Sequence, residues 1–386
     1  MSTPIDSSVY YHGIYWNSYD RVIQHLNERA FDSEQGNWCE FIRKEHGKPY
    51  SRAFSLNCGT GWAERDLIVA GAAEQIVGVD YLDDLLATAR QASVDMPISY
   101  HQTDANNADF PPGPYDLVVN HAAGHHIAYL DKVFRQLRDI MQPTGSLVTW
   151  DYTGAHRNQY TSRIWNAAMA VNARLPEQYR SSMEYPHLPT MLAGDPTEAI
   201  HSELVLEVMS RYFHHRHFRR LGGPIAYLLL THNTRLYAAP PAERDPLVEM
   251  ILAADVEHID TYPADSLFTF AISAPRAKDE IDLLQLEVWT YEEESRESAA
   301  EAHGGRYYLP TKLEQSRYLS TAPDPDTGEA LLQPYDVARL GPRFVFGAVM
   351  RLIPIQFPFT LSPLRFLNGK FRSVRRRTRR LLGVRR

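Results

Sequence analysis

From residue 51 the chain alternates two patterns. Short apolar runs bounded by glycine and proline predict strands, and longer stretches with helical spacing follow them. Arg52–Leu56 reads as a strand and Ala63–Ala70 as its helix. Gln75–Val79 is a second strand ending in Asp80, and Asp83–Arg90 a helix with acids at its start and Arg90 near its end, as the helix dipole favours. Ile98–Gln102, Tyr115–Asn120 and Ser146–Trp150 are further strands, with Lys132–Met141 an amphipathic helix before the last of them. Strands alternating with helices at this spacing predict a parallel sheet covered on both faces, with ligands at its C-terminal strand edge. Gly59, Asp80, Asp104, Asn120 and Asp151 all fall at that edge.

Before this block, helices are expected over 18–30 and 38–46, with Tyr10, Tyr11, Tyr15, Trp16 and Tyr19 clustered at its start. Such a segment either packs on the domain edge or lies over a substrate as a lid. Residues 1–50 are taken as an N-terminal helical cap. After the block, Gln159–Leu175, Leu204–Tyr212 and Leu247–Asp260 read as helices and Ser266–Ser273 as a closing strand.

The chemistry concentrates in Asn57-Cys58-Gly59-Thr60-Gly61, a tight turn between the first strand and its helix. Glycines there let a ligand approach the backbone, and the opening helix points free N–H groups at it. Asp80 lies nineteen residues beyond Gly61. A carboxylate so placed can accept hydrogen bonds from both hydroxyls of a ribose. Turn and acid together predict a nucleoside cofactor.

Six short segments in this order resemble the class I S-adenosylmethionine (SAM) dependent methyltransferases. They are Leu56–Gly61, Val77–Asp80, Gln102–Ala105, Tyr115–His121, Gly124–Ile127 and Met141–Leu147. The resemblance implies an α/β, Rossmann-like class I methyltransferase fold. Its mostly parallel seven-stranded sheet would be flanked by helices, with a helical insertion over about 155–225 and an irregular C-terminal extension. It implies SAM as cofactor, with Asn57, Cys58, Gly59 and Gly61 facing the methionyl part and Asp80 the ribose, with Tyr81 beside it. Asp104 and Ala105 would meet the adenine, and Asn120 and His121 would line the pocket floor. The family usually has glycine where Asn57 stands, and asparagine is the residue that next best tolerates positive φ. A looser likeness to enzymes of polysaccharide and glycolipid biosynthesis points to a small-molecule, glycan or lipid-linked acceptor, methylated on a hydroxyl oxygen.

A hydroxyl acceptor must lose a proton, and histidine suits that role near neutral pH. His125 is the first candidate and His126 the second. Tyr11, Trp16, Asp151 and Tyr152 are candidates for acceptor contact. His214-His215-Arg216-His217 reads as an exposed basic patch, and no metal site is expected, because neighbouring histidines on one element point apart. Two other readings stay open: a methyltransferase-like scaffold that binds partners, and a nicotinamide-dependent oxidoreductase. The turn lacks the longer glycine pattern of the latter, and no Tyr-x-x-x-Lys pair follows.

Composition adds a compartment and a possible partner. Two cysteines in 386 residues give no disulfide framework, so a cytoplasmic setting is expected. The net charge of −7 hides an asymmetry. Asp279–Glu301 holds nine acids against Arg296 alone, whereas Arg365–Arg386 holds nine arginines, Lys370 and no acid. The domains are therefore expected as 51–275 for the methyltransferase unit, 276–340 for an acidic extension or linker, and 341–386 for an apolar then Arg-rich tail. That tail either suits an anionic membrane surface, such as the inner membrane face, at about 1 kcal/mol per basic residue, or stays solvated or pairs with the acidic stretch 279–301. It lacks the interleaved aromatics of a nucleic-acid binder.

Overall fold

The computed structural model describes residues 13–33, 36–106, 109–186, 195 and 197–282. Tyr11, the acidic segment past 282 and the Arg-rich tail lie outside the described residues. A seven-stranded sheet organises the rest. Its strands are β1 (Ala53–Ser55), β2 (Ile76–Asp80), β3 (Ile98–Gln102), β4 (Tyr115–His121), β5 (Met141–Tyr152), β6 (Phe213–Gly222) and β7 (Phe268–Pro275). Their order is β3-β2-β1-β4-β5-β7-β6. The first five strands run parallel, and β7 pairs antiparallel with both β5 and β6. This is the mostly parallel Rossmann-like methyltransferase architecture. Its direction of winding reverses between β1 and β4, where such sheets open a binding crevice.

Every residue of β1 and β2 is buried, because helices cover both faces. Alternation along β4 divides the core. Leu117 and Val119 join Ala53 and Ile76 on one face, and Val118 joins Phe54, Val77 and Leu147 on the other. The first face is covered by helices α1 (Asp20–Phe31) and α2 (Trp38–His46), together with α3 (Trp62–Val69) after the glycine turn. Val22, Leu26 and Ala30 repeat every four residues on α1 and pack inward. Asn37 caps α2, its side-chain oxygen accepting the Glu40 N–H at 2.9 Å, and Gly47 ends it at φ 80°. On the other face lie α5 (Leu130–Asp139) and α7 (Val205–Tyr212), while α4 (Asp83–Ala92) packs Leu86 and Ala89 on Tyr100.

Helix α6 (Ser162–Arg174) opens the insertion after β5. After β6 come α8 (Ala226–Leu230), α9 (Thr234–Tyr237), the long α10 (Pro241–Thr261) and, beyond β7, the short α11 (Lys278–Asp282). The insertion expected as helical to about residue 225 instead ends in strand β6. The reason lies in its side chains. Phe213–Gly222 is rich in His and Arg, and it holds the sheet edge through polar ties. His215 Nδ1 meets Ser273 Oγ at 2.9 Å, His217 Nε2 donates to the Ala30 carbonyl, and Arg216 donates to Ser146. No apolar alternation marks such a strand. No helix among the described residues is long and apolar enough to cross a membrane.

Candidate active site

The glycine turn begins where β1 ends. Cys58 N–H donates to the Val79 carbonyl at 2.9 Å, locking the turn to β2. Asn57, Gly59 and Gly61 take φ values of 45°, 55° and 73°. Asn57 thus supplies a left-handed conformation that asparagine tolerates, and its Nδ2 donates to the Ala123 carbonyl at 3.3 Å, tying the turn to the loop after β4. Helix α3 has no side-chain cap at Gly61, so its first N–H groups face the crevice uncapped. Cys58 is buried, and burial raises its thiol far above the usual range.

Asp80 is the anchor of this half. One carboxylate oxygen accepts Gly59 N–H at 2.8 Å and the other accepts Leu82 N–H at 2.9 Å. Burial raises its pKa, against the lowering effect of those N–H groups. Each oxygen keeps a second lone pair for a ribose hydroxyl. Tyr81 beside it is 46% exposed, which leaves its ring available to a flat ligand. At the end of β3, Asp104 Oδ1 accepts Asn106 N–H at 3.0 Å, and Ala105 is buried. Asn106, which sequence reasoning missed, accepts the N–H groups of Ala128 and Tyr129 at 2.9 and 3.1 Å, and so joins this loop to the one after β4.

Asn120 is fully buried at the end of β4. Its Oδ1 accepts Gly124 N–H at 2.7 Å, and its Nδ2 has no hydrogen-bond partner. Asp151 Oδ2, at the end of neighbouring β5, is likewise without one. Gly124 sits between them. A Cβ there would come within 2.7 Å of Asp151 Oδ2 and 3.0 Å of Asn120 Nδ2, so only glycine keeps this cradle open. A buried donor and a buried acceptor left over beside the glycine turn fit a cofactor with polar ends. The His121 ring lies among Trp38, Trp62 and Trp150, 4.8–6.4 Å between centroids. Burial holds it neutral, its pKa pushed down to about 4.

The histidine pair lies at the far side of Gly124. His125 Nδ1 meets Asp151 Oδ1 at 2.6 Å, and the same oxygen accepts Tyr152 N–H at 2.8 Å. Burial alone would lower the pKa of His125, but the Asp151 charge and hydrogen bond, helped by Glu198, raise it. His126 is pushed down to about 4 by burial and then by His125. Glu198 closes the group from a separate segment, 3.9 Å from Nε2 of each histidine. That segment is strapped on by Ile200 N–H donating to the His125 carbonyl at 3.0 Å. Ala122 and Ala199 on either side take positive φ of 51° and 49°, a strain that alanine adopts only where its surroundings enforce it.

An aromatic wall flanks this group. Tyr152 packs on Tyr227 and Phe268, and Trp16 lies on Phe268 at 4.9 Å and edge-on to Tyr227 at 6.0 Å. The N-terminal segment thereby reaches the same wall as the end of β5. Tyr160 and Tyr185 extend it, the Tyr185 hydroxyl donating to the Tyr160 carbonyl at 2.8 Å. Glu198, Tyr160 and Tyr227 carried no sequence signal, since nothing in the spacing of their segments ties them to the turn.

Glu64 was also missed. It is buried on the first turn of α3, accepts from Ser55 Oγ, and leaves Oε2 without a partner. Burial raises its pKa to about 7, despite the Ser55 bond. Its charged form therefore opposes folding. Stability should fall as pH rises from the usual glutamate range to about 7, by on the order of 3 kcal/mol, and then level off. Glu64→Gln should remove that slope in urea titrations across the range; an unchanged slope would contradict the assignment.

Residues 55–149 match the model of a methyltransferase domain. No curated protein matches the chain. Among solved structures it is similar to a SAM-dependent methyltransferase from Mesorhizobium loti, at 17% identity over 59% of this chain and 92% of that one, with a TM-score of 0.36. It is also similar to the plantazolicin methyltransferase BpumL in complex with SAH (11% identity, 72% and 92% covered, TM-score 0.39) and to the [4+2]-cyclase SpnF (14% identity, 71% and 98%, TM-score 0.38). The domain match, rather than these distant structures, gives the class. The chain carries a SAM-dependent methyltransferase domain, and S-adenosylmethionine is its cofactor.

Proposed function

We propose that this methyltransferase acts on a hydroxyl oxygen, carried by a small molecule or a glycan, and activates it at the group formed by His125, His126, Glu198 and Asp151. The observation that carries the reading is the buried His125–Asp151 contact beside the Gly124 cradle. It sets a held imidazole between the cofactor crevice and the aromatic wall. Methyl transfer from a sulfonium is an in-line displacement, so most of the rate comes from positioning. An oxygen nucleophile also gains from losing its proton as it attacks. Rings such as Tyr152, Tyr227 and Trp16 present flat apolar faces, which suit a sugar ring or another cyclic acceptor.

Calorimetric titration with SAM, S-adenosylhomocysteine and NADH tests the cofactor. Micromolar binding of the first two and none of NADH is expected. His125→Ala should keep SAM affinity within about threefold while lowering methyl transfer to a hydroxyl acceptor by about 10²–10⁴-fold. Transfer at the wild-type rate would remove His125 from the chemistry.

A further inference from the structure

We infer that His125, His126 and Glu198 hold a divalent transition-metal ion. The convergence of their ligand atoms carries the inference. His125 Nδ1 faces Asp151, whose carboxylate can only accept, so Nδ1 bears the proton. Thr197 donates its hydroxyl proton to Asp195 Oδ1 at 2.7 Å, so towards His126 Nδ1, 3.1 Å away, that hydroxyl accepts. Each Nδ1 is thereby engaged by an outer partner, and Nε2 is the ring nitrogen that faces Glu198. Both Nε2 atoms lie 3.9 Å from Glu198 Oε2, and the three ligand atoms lie within 4.8 Å of one another. Two imidazole nitrogens and one carboxylate oxygen converging on one point are the donor set of a transition-metal site.

The surroundings match what metal-binding histidines need. Each ligand ring has its second nitrogen fixed by a carboxylate or a hydroxyl, the outer-shell arrangement that orients imidazoles on a metal. Two imidazoles and one carboxylate with open positions suit Zn²⁺, Co²⁺, Fe²⁺ or Mn²⁺ and not Mg²⁺ or Ca²⁺, which prefer oxygen. Metal–ligand bonds of about 2.0–2.2 Å require the three atoms to close by a few tenths of an ångström each. The motif escapes sequence reasoning because adjacent histidines on a regular helix or strand diverge. Here they lie in a short 3-10 turn, Gly124–His126, with ring centroids 4.1 Å apart.

The chemical consequence rests on the methyltransferase reading. The ion would hold the acceptor hydroxyl in an open position and lower its pKa. The proton then leaves to water, the C–S bond of the sulfonium breaks as the new C–O bond forms, and S-adenosylhomocysteine departs.

The test uses the full chain, stripped with a chelator and titrated with Co²⁺ and Zn²⁺, with Mg²⁺ as control. Visible Co²⁺ absorption and calorimetry read the binding. About one ion per chain is expected, with micromolar or tighter affinity and no Mg²⁺ uptake. Glu198→Gln, nearly isosteric, should weaken Co²⁺ binding at least 100-fold with an unchanged unfolding midpoint. His126→Ala should act alike, and Asp151→Asn should weaken it by 10–100-fold through the outer shell. A His214→Ala/His215→Ala variant controls for the exposed histidines of β6 and should bind as wild type. Absence of uptake, or equal affinity in wild type and Glu198→Gln, overturns the inference. SAM titration of the stripped protein stands apart: its failure would count against the methyltransferase reading, and its success with no metal uptake against the cation alone.

Discussion

Asp80→Ala is expected to lower SAM affinity by at least about 100-fold, read by calorimetry on a variant that still folds. Two losses combine. The first is the direct acceptor for a ribose, two oxygens at the end of β2 whose second lone pairs face the crevice. The second is the shape of the turn. Gly59 N–H and Leu82 N–H both lose a charged acceptor in a buried setting, at about 1–3 kcal/mol for each group left unpaired. Gly59 stands between Asn57 and Gly61 in a run of left-handed conformations, so slackening one bond loosens the whole turn. Asp80→Asn keeps one oxygen and should fall between the two. Unchanged SAM affinity in Asp80→Ala would place the cofactor elsewhere.

Asp255→Ala is expected to cost about 3 kcal/mol or more, lowering the unfolding midpoint by roughly 6–12 °C. Asp255 is fully buried on α10, and its carboxylate accepts three backbone N–H groups, those of Gly223, Ile225 and Ala226, at 2.7–2.8 Å. Burial raises its pKa, against the lowering effect of these donors. With alanine, three donors at the turn from β6 into α8 lose their partner together. The effect should reach the site as well. Helix α8 carries Tyr227, and Thr231 just after it accepts the Trp16 N–H at 3.3 Å, so both sides of the aromatic wall hang on this turn. Thermal and urea unfolding read the cost, and a loss under 1 kcal/mol would show that water replaces the carboxylate.

What the chain discloses on reading follows from where its constraints are local. Parallel strands buried on both faces need continuous apolar runs, and Ile76–Val79 and Leu117–Val119 show them. The turn announces itself through Gly59 and Gly61, and the positive φ at Asn57 fits the tolerance of asparagine. Asp151 and the loop of His125 are close because β4 and β5 pair in register, His121 against Trp150. The remainder depends on tertiary contacts. Strand β6 holds its edge with histidine and arginine, which reads as surface. Glu198 reaches His125 and His126 through one backbone bond from Ile200, across more than seventy positions of chain. Asn106 and Glu64 sit in ordinary loop and helix contexts, and only burial distinguishes them.

The antiparallel course of β7 also decides how the enzyme could be handled. Phe268 pairs with Tyr152 near the crevice, whereas Ser273 pairs with Leu147, farther towards the opposite rim. Over its eight residues the strand carries the chain roughly 27 Å away from the reaction centre, at about 3.4 Å per residue. An anchor attached at Asp282 would therefore begin on the rear of the sheet. Immobilised by that point on a bead or an electrode, the described residues would turn the C-terminal strand edge outward, towards the solution.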